Sequence, residues 1–347
     1  MGWRVDHAEF LGAQVPIVLA QPGSDELWVA LKHGHFGAKM HRSSDGGQSW
    51  AEVSAPTYPP KPDDVPDVID PMRNTAIPWS LELIWCLERA STGRIWCGTL
   101  PGGLFSSDDK GASWQLNMPL WSLPNRSRWF GGGYDVPGIH SICIDPRDPN
   151  SISLAISCGG VWQSKDNGNH WSCASNGMRA EYMPPEKAFD PDIQDPHRMV
   201  QCTGAPDTFW VQHHNGIFRS NDHCQSWHEV DSKGPSTFGF AVTVHPHNPE
   251  IAWFVPAVRD SDRYPADGRF LVTRTQDSGA SFECLTSGLP QEHAFHLVYR
   301  HGLDIDPAGD VLAMGSTTGG LWISENGGDH WETISHHLPP IYCVRFG

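Results

Sequence analysis

An octapeptide that recurs along the chain restricts the fold more than any other feature. Ser43-x-Asp45-x-Gly47-x-Ser49-Trp50 returns as Ser107-x-Asp109-x-Gly111-x-Ser113-Trp114 and as Ser164-x-Asp166-x-Gly168-x-x-Trp171. Three altered copies follow. Ser220-x-Asp222-x-Cys224-x-Ser226-Trp227 replaces the glycine, and Thr275-x-Asp277-x-Gly279-x-Ser281-Phe282 replaces the serine and the tryptophan. Ser324-x-Asn326-x-Gly328-x-x-Trp331 replaces the aspartate. The chemistry is that of a tight hairpin. Asp and Ser side chains bond nearby backbone groups and hold a turn. Glycine supplies a positive φ at little cost. The terminal aromatic is expected to pack across the turn into the gap between neighbouring sheets. Six copies in order make this a repeat architecture rather than a stray motif.

The composition agrees. With 35 Gly and 29 Pro among 347 residues, a helical bundle is excluded, because both residues oppose helix interiors. The 10% aromatic content argues against disorder. No apolar run approaches the roughly 20 residues of a membrane helix. Short β runs precede each box. One begins with glycine, as in Gly103-Leu104-Phe105, Gly160-Val161-Trp162, Gly216-Ile217-Phe218 and Gly320-Leu321-Trp322. Another lies before it, as in Leu27-Trp28-Val29-Ala30-Leu31 and Arg94-Ile95-Trp96-Cys97. Short strands at even spacing between turns suit an all-β propeller of four-stranded blades.

The repeat resembles the Asp-box, or BNR, repeat of the sialidase-like β-propellers, and the resemblance covers nearly the whole chain. It implies that each box lies on the turn between the third and fourth strands of a blade. One domain, 1–347, follows, with blades at 14–54, 81–118, 138–175, 196–231, 239–286 and 298–335. Trp3-Arg4-Val5 has the form of a further fourth strand, and Pro340–Phe346 that of a further first strand. The expected ring is therefore seven-bladed, with 1–12 and 339–347 sharing an incomplete closing blade. About 25–30 residues of that blade would lie outside the sequence. A six-bladed ring is the alternative.

Charge and cysteine narrow the partners. Lys plus Arg is 24 and Asp plus Glu is 40, a formal net charge of −16. This argues against nucleic acid and against anionic membranes, both of which select basic surfaces. The nine cysteines include no C-x-x-C pair and read as buried reduced thiols. The N-terminus carries no signal pattern, so a cytoplasmic location is expected. No cofactor is expected.

In such blades the boxes share one face, and insertions collect on the other. The long segments here all fall on that second face. Residues 54–80 carry Asp63, Asp64, Asp67 and Asp70, which read as a solvated acidic loop. Residues 118–138 carry Arg128, Trp129, Gly131-Gly132-Gly133, Tyr134 and Asp135. Residues 176–196 carry Arg179, Tyr182 and Asp195; 258–268 carry Arg259 and Arg263; 287–299 carry Glu292 and Tyr299. Inner-strand starts add Glu82, His140, His197, Arg198, Arg300 and His301, and short turns add His33-Gly34-His35 and His213-His214. Whether those His-rich turns bind metal stays open, as does the choice between ligand clamp and structural pair for Arg128–Trp129. Arg forks bind carboxylate or phosphate, so this rim suits an anionic or glycan-like ligand.

Three functions fit these residues. The resemblance implies a sialidase-like glycoside hydrolase, for which Glu82, Asp135 and Glu292 are the candidate catalytic carboxylates. Arg128, Trp129, Tyr134, His140, Arg179, His197, Arg198, His213, His214, Arg259, Arg263, Tyr299 and Arg300 are the candidate ligand-binding set. The chain departs from the sialidase pattern in lacking an Arg-Ile-Pro motif; its one Arg-Ile pair, Arg94-Ile95, lies in a second strand. The second function is a non-catalytic propeller that binds a small anionic molecule, a glycan or a partner protein. The third is a metal-dependent hydrolase or lyase using the His turns.

Overall fold

The computed structural model describes residues 2–231 and 234–347. It contains six four-stranded antiparallel sheets, each a meander of consecutive strands. They span 14–53, 83–116, 138–173, 196–230, 239–285 and 303–335. The first comprises Gln14–Ala20, Leu27–Lys32, Ala38–Ser43 and Ala51–Val53. The middle strands read as apolar runs because both their faces are covered. Ile152–Ser157, for example, is buried at every position. The core lies between blades. One cluster joins Ile17, Leu19 and Trp28 of the first blade to Ile84, Leu87 and Phe105 of the second.

All six boxes adopt one hydrogen-bonded form. In the first, Ser43 Oγ accepts from Gly47 N–H at 2.9 Å and Asp45 Oδ1 accepts from Ser49 N–H at 2.9 Å. The altered copies keep this geometry. Cys224 N–H donates to Ser220 Oγ at 3.0 Å, Gly279 N–H to Thr275 Oγ1 at 2.8 Å, and His330 N–H to Asn326 Oδ1 at 2.9 Å. Cys224 holds φ +61, the left-handed conformation that the repeat ordinarily reserves for glycine.

Tryptophans then bind blade to blade. Trp114 Nε1 donates to Ser54 O at 2.8 Å and Trp227 Nε1 to Ala174 O at 2.7 Å, each reaching back to the preceding blade. Trp28, Trp210 and Trp253 reach forward instead, to Lys110 O, Pro249 O and Gly327 O at 2.8–3.0 Å. Close backbone approach is part of this joint. Gly288 has φ +82, and a Cβ there would stand 1.9 Å from Trp331 O. Gly288→Ala is expected to cost at least about 2 kcal/mol, combining steric clash with left-handed strain. A urea unfolding curve shifted by less than a quarter of that would contradict the assignment.

The innermost strands, Gln14–Ala20, Leu83–Arg89, Gly138–Ile144, Pro196–Gln201, Gly239–Val244 and Leu303–Ile305, pack in succession around the axis. Between the sixth and the first, the C-terminal segment intervenes. Val344 N–H donates to His301 O at 2.8 Å and Phe346 N–H to Asp304 Oδ2 at 3.0 Å, while Cys343 packs on the first blade's core. Arg345 pairs with Glu88 of the second blade. Trp3 Nε1 donates to Glu325 Oε1 at 2.7 Å, on the box of the sixth blade. Both chain ends thus meet at one seam. Among the described residues the four-stranded sheets number six, and the terminal segment joins by a single parallel bridge, His301 to Cys343. No helix is long and apolar enough to cross a membrane, among the described residues.

Candidate functional site

Two adjoining cavities open at the loop-rich face. The larger, about 270 Å³, is lined by Trp85, Tyr134, Phe240, Tyr299, Arg300 and Tyr342 among others. The smaller, about 130 Å³, is lined by Gly131–Gly133, Cys158, Tyr182, Asp195, His197 and His214 among others. Gly133, Phe240 and Arg263 border both. A third space of about 580 Å³ lies at the opposite mouth, around the strand ends. Although larger, it is internally neutralised, since Arg345 there meets Glu88.

Arg300 sits on a tight turn in which Gly302 N–H returns to Tyr299 O at 2.6 Å, just before the sixth inner strand. It is 5% exposed. Its Nε and Nη2 atoms have no acceptor among the described residues. The guanidinium instead lies over Trp85 at 4.7 Å and Phe240 at 5.4 Å. Burial pulls its pKa below the usual arginine value, and the nearby Asp195 charge opposes that pull. An arginine does not lose its proton in proteins. The result is a fixed, poorly compensated cation at a cavity wall.

The smaller cavity holds Asp195, His197 and His214. Asp195 Oδ2 lies 3.4 Å from His197 Nε2 and 3.4 Å from His214 Nδ1. Asp195 Oδ1 accepts from Cys158 N–H at 3.1 Å and Ser157 Oγ at 3.2 Å. Burial alone pushes the Asp195 carboxyl up, but the two imidazoles hold it well below the carboxylate range. Burial depresses His197 and outweighs Asp195 there. His214 is more open, and against its partial burial Asp195 raises it. His213 is not part of this group but accepts at Nε2 from Asp195 N–H, 3.1 Å, anchoring that backbone.

The other candidates are dispersed. Arg128 pairs with Asp190 and Asp192, Arg179 with Glu229, and Arg259 with Asp262. Arg263 pairs with Asp260 but still borders both cavities. Arg198 lines the opposite space, donating to His140 O at 3.3 Å. Trp129 is fully buried against Trp162. Glu82 and Glu292 are exposed, and Asp135 is 99% exposed near Arg73; none of the three borders a cavity described above. His33 and His35 are exposed on a short 3-10 turn. Asp70 differs from the solvated loop expected of it. It is wholly buried and accepts from Met72, Arg73 and Gly131 N–H groups at 2.8–2.9 Å, fixing the triple-glycine loop. Trp85, Phe240 and Tyr342 were not singled out by sequence; the available signal was their place at inner-strand starts and in the terminal segment.

Beneath the mouth, His140 and His301 are buried, His301 Nε2–H donating to His140 O at 2.8 Å. Burial, with Arg300 acting on His140 and Arg198 on both, holds each well below the ordinary histidine value. The folded pKa is thus the lower one. Their contribution is complete above pH ~6.5 and is lost as pH falls, by about 1.4 kcal/mol per pH unit for each group. Box residues Asp45 and Asp109, held down to about 2 chiefly by Ser49 and Ser113 hydroxyls, stay ionised through that window. Urea midpoints are therefore expected to fall between pH 6.5 and 5; a flat profile would exclude this account.

No family model matches the chain. No curated protein matches it either. Solved structures do. An ancestral GH74 enzyme superposes with TM-score 0.64 at 17% identity over 94% of this chain and 39% of its own. The GH74 xyloglucanase of Xanthomonas campestris gives 0.63 at 18% over 93% and 47%. Ycf48 bound to D1 peptide gives 0.54 at 12% over 92% and 81%. The chain spans less than half the length of those two GH74 chains. At such identities the likeness concerns the fold: the chain is a β-propeller similar in architecture to GH74 enzymes and to Ycf48.

Proposed function

We propose that this propeller is a binding module whose loop-rich mouth takes an anionic group, carried by a small molecule or glycan, on Arg300. The observation that carries this reading is a buried guanidinium with two unpartnered nitrogens at a cavity wall. Such a group is costly to keep unless something pairs with it. Tyr134, Tyr299, Tyr342 and Trp85 line the same cavity and offer faces for a sugar or other ring. Binding is preferred to hydrolysis because most glycosidases need two free carboxylates flanking the bond, and the two that line the smaller cavity are already engaged, Asp195 with His197 and His214 and Asp260 with Arg263. Glu82, Asp135 and Glu292 border neither cavity, and of the arginine set Arg263 and Arg300 line the larger cavity with Tyr134 and Tyr299. The nine free cysteines support a reducing, cytoplasmic setting.

The test is a calorimetric panel of uronic and sialic acids, sugar phosphates, short dicarboxylates and neutral xylo-oligosaccharides. At least one anionic class is expected to bind, with its neutral counterpart failing. Equal binding of neutral and anionic members would overturn the reading.

A further inference from the structure

We propose that Asp195, His197 and His214 form a site for a divalent transition metal of the Zn2+ class, with an open coordination position facing the mouth. This goes beyond anion capture and rests on separate residues. The three ligand atoms, Asp195 Oδ2, His197 Nε2 and His214 Nδ1, all lie within 4.8 Å of one another. The two carboxylate–imidazole separations are 3.4 Å. Hydrogen bonds between such groups close to about 2.7–2.9 Å. Ligand atoms around a tetrahedral zinc, at bonds of about 2.0–2.1 Å, stand about 3.3–3.4 Å apart. The two carboxylate–imidazole separations match that spacing.

The tautomer agrees. His197 Nδ1 lies 2.7 Å from Gly239 O, and a carbonyl can only accept, so that nitrogen carries a proton. In the neutral ring, Nε2 then turns a lone pair toward Asp195 Oδ2. A lone pair facing a carboxylate in a buried site calls for a cation between them. An imidazole whose outer N–H is held by a backbone carbonyl is also the usual support for a metal-bound histidine. The carboxylate is oriented likewise, with Oδ1 occupied by Cys158 and Ser157 and Oδ2 left toward the imidazoles.

The surroundings are built around this point. Asp195 and His197 side chains are each 4% exposed, whereas His214 is 25% exposed on the cavity side. Gly132 roofs the group so closely that a Cβ would lie 2.8 Å from Ser157 Oγ and 3.3 Å from Asp195 Oδ2. Three protein ligands beside an open cavity match zinc centres that keep an exchangeable position rather than closed four-ligand structural sites. Such a position would accept water or an oxygen of a mouth-bound ligand.

The experiment is a titration of the EDTA-stripped, dialysed full chain with ZnCl2 in a buffer free of other anionic ligands, followed by calorimetry. One saturable equivalent per chain is expected, with Co2+ giving the visible absorption of a low-coordinate nitrogen–oxygen site. His214→Ala, chosen because that side chain is the most open of the three, is expected to weaken Zn2+ binding at least 100-fold and abolish the Co2+ band. Circular dichroism of that variant should match the metal-free parent. Asp195→Asn should act in the same direction, and His33→Ala/His35→Ala should bind as the parent does. Absence of saturable Zn2+ binding, or unchanged binding in His214→Ala, would overturn the proposal and assign the cluster to a shared proton. Because no carboxylate or phosphate ligand is present, neither result bears on the Arg300 reading.

Discussion

Arg300→Met is expected to make the free protein more stable while removing its capacity for anions. The two effects share one cause. Arg300 is almost fully buried, and two of its nitrogens lack acceptors; its compensation comes from the faces of Trp85 and Phe240. Replacing a poorly paired buried charge by an apolar side chain of similar volume gains about 1–4 kcal/mol in favourable cases. The variant should therefore unfold at higher urea. A charge-assisted hydrogen bond to a bound anion contributes about 1.5–3 kcal/mol, so the same variant should lose up to about 100-fold in affinity. Arg300→Lys should keep the free-state cost and recover part of the binding, because lysine retains the charge without the planar fork. A destabilised Arg300→Met that still binds would reject both halves. Destabilisation alone would mean that the guanidinium serves packing through its rings.

Trp227→Ala should cost about 3–5 kcal/mol, as large apolar truncations in tight cores do. Trp227 is 2% exposed, belongs to the cluster of Met178, Met199, Phe209 and Phe218, and donates to Ala174 O of the preceding blade. Its loss leaves a cavity and an orphaned carbonyl at one joint. Measured against total stabilities of about 5–15 kcal/mol, that is a large share. Trp50→Ala is the internal comparison. Trp50 is only partly buried and bonds within its own box, to Gly47 O at 3.1 Å, so its truncation should cost well under half as much. Equal urea shifts for the two would show that box tryptophans act locally and do not join blades.

The pattern of legibility follows from the range of the interactions. Each box is closed by bonds between residues two to four apart, so its form is written in eight letters, and even Cys224 and Asn326 keep it. Strand positions were legible for a related reason: both faces of a blade are covered, which leaves apolar runs between turns. The site residues were a different matter. Arg128, Arg179, Arg259 and Arg300 look alike in sequence. Arg128 and Arg179 are matched to acids 50 or more residues away and Arg259 to one three away, whereas two Arg300 nitrogens meet no acceptor among the described residues. Asp70, in an acidic run, is buried because it ties down Gly131, 61 residues on.

The sequence by itself determined the all-β propeller, the box turns and the face that carries the insertions. Those depend on turn chemistry and on which residues avoid water, both local properties. The tertiary structure alone decided that the four-stranded sheets among the described residues number six, with the chain ends meeting at one seam. It also decided that, of the candidate arginines, Arg300 is the one with two buried nitrogens lacking acceptors among the described residues, and that the histidines gathered at Asp195 are His197 and His214. A charge is neutralised, and a ligand set assembled, by whichever side chains the ring brings within a few ångströms. That is a property of closure, and no short stretch of sequence contains it.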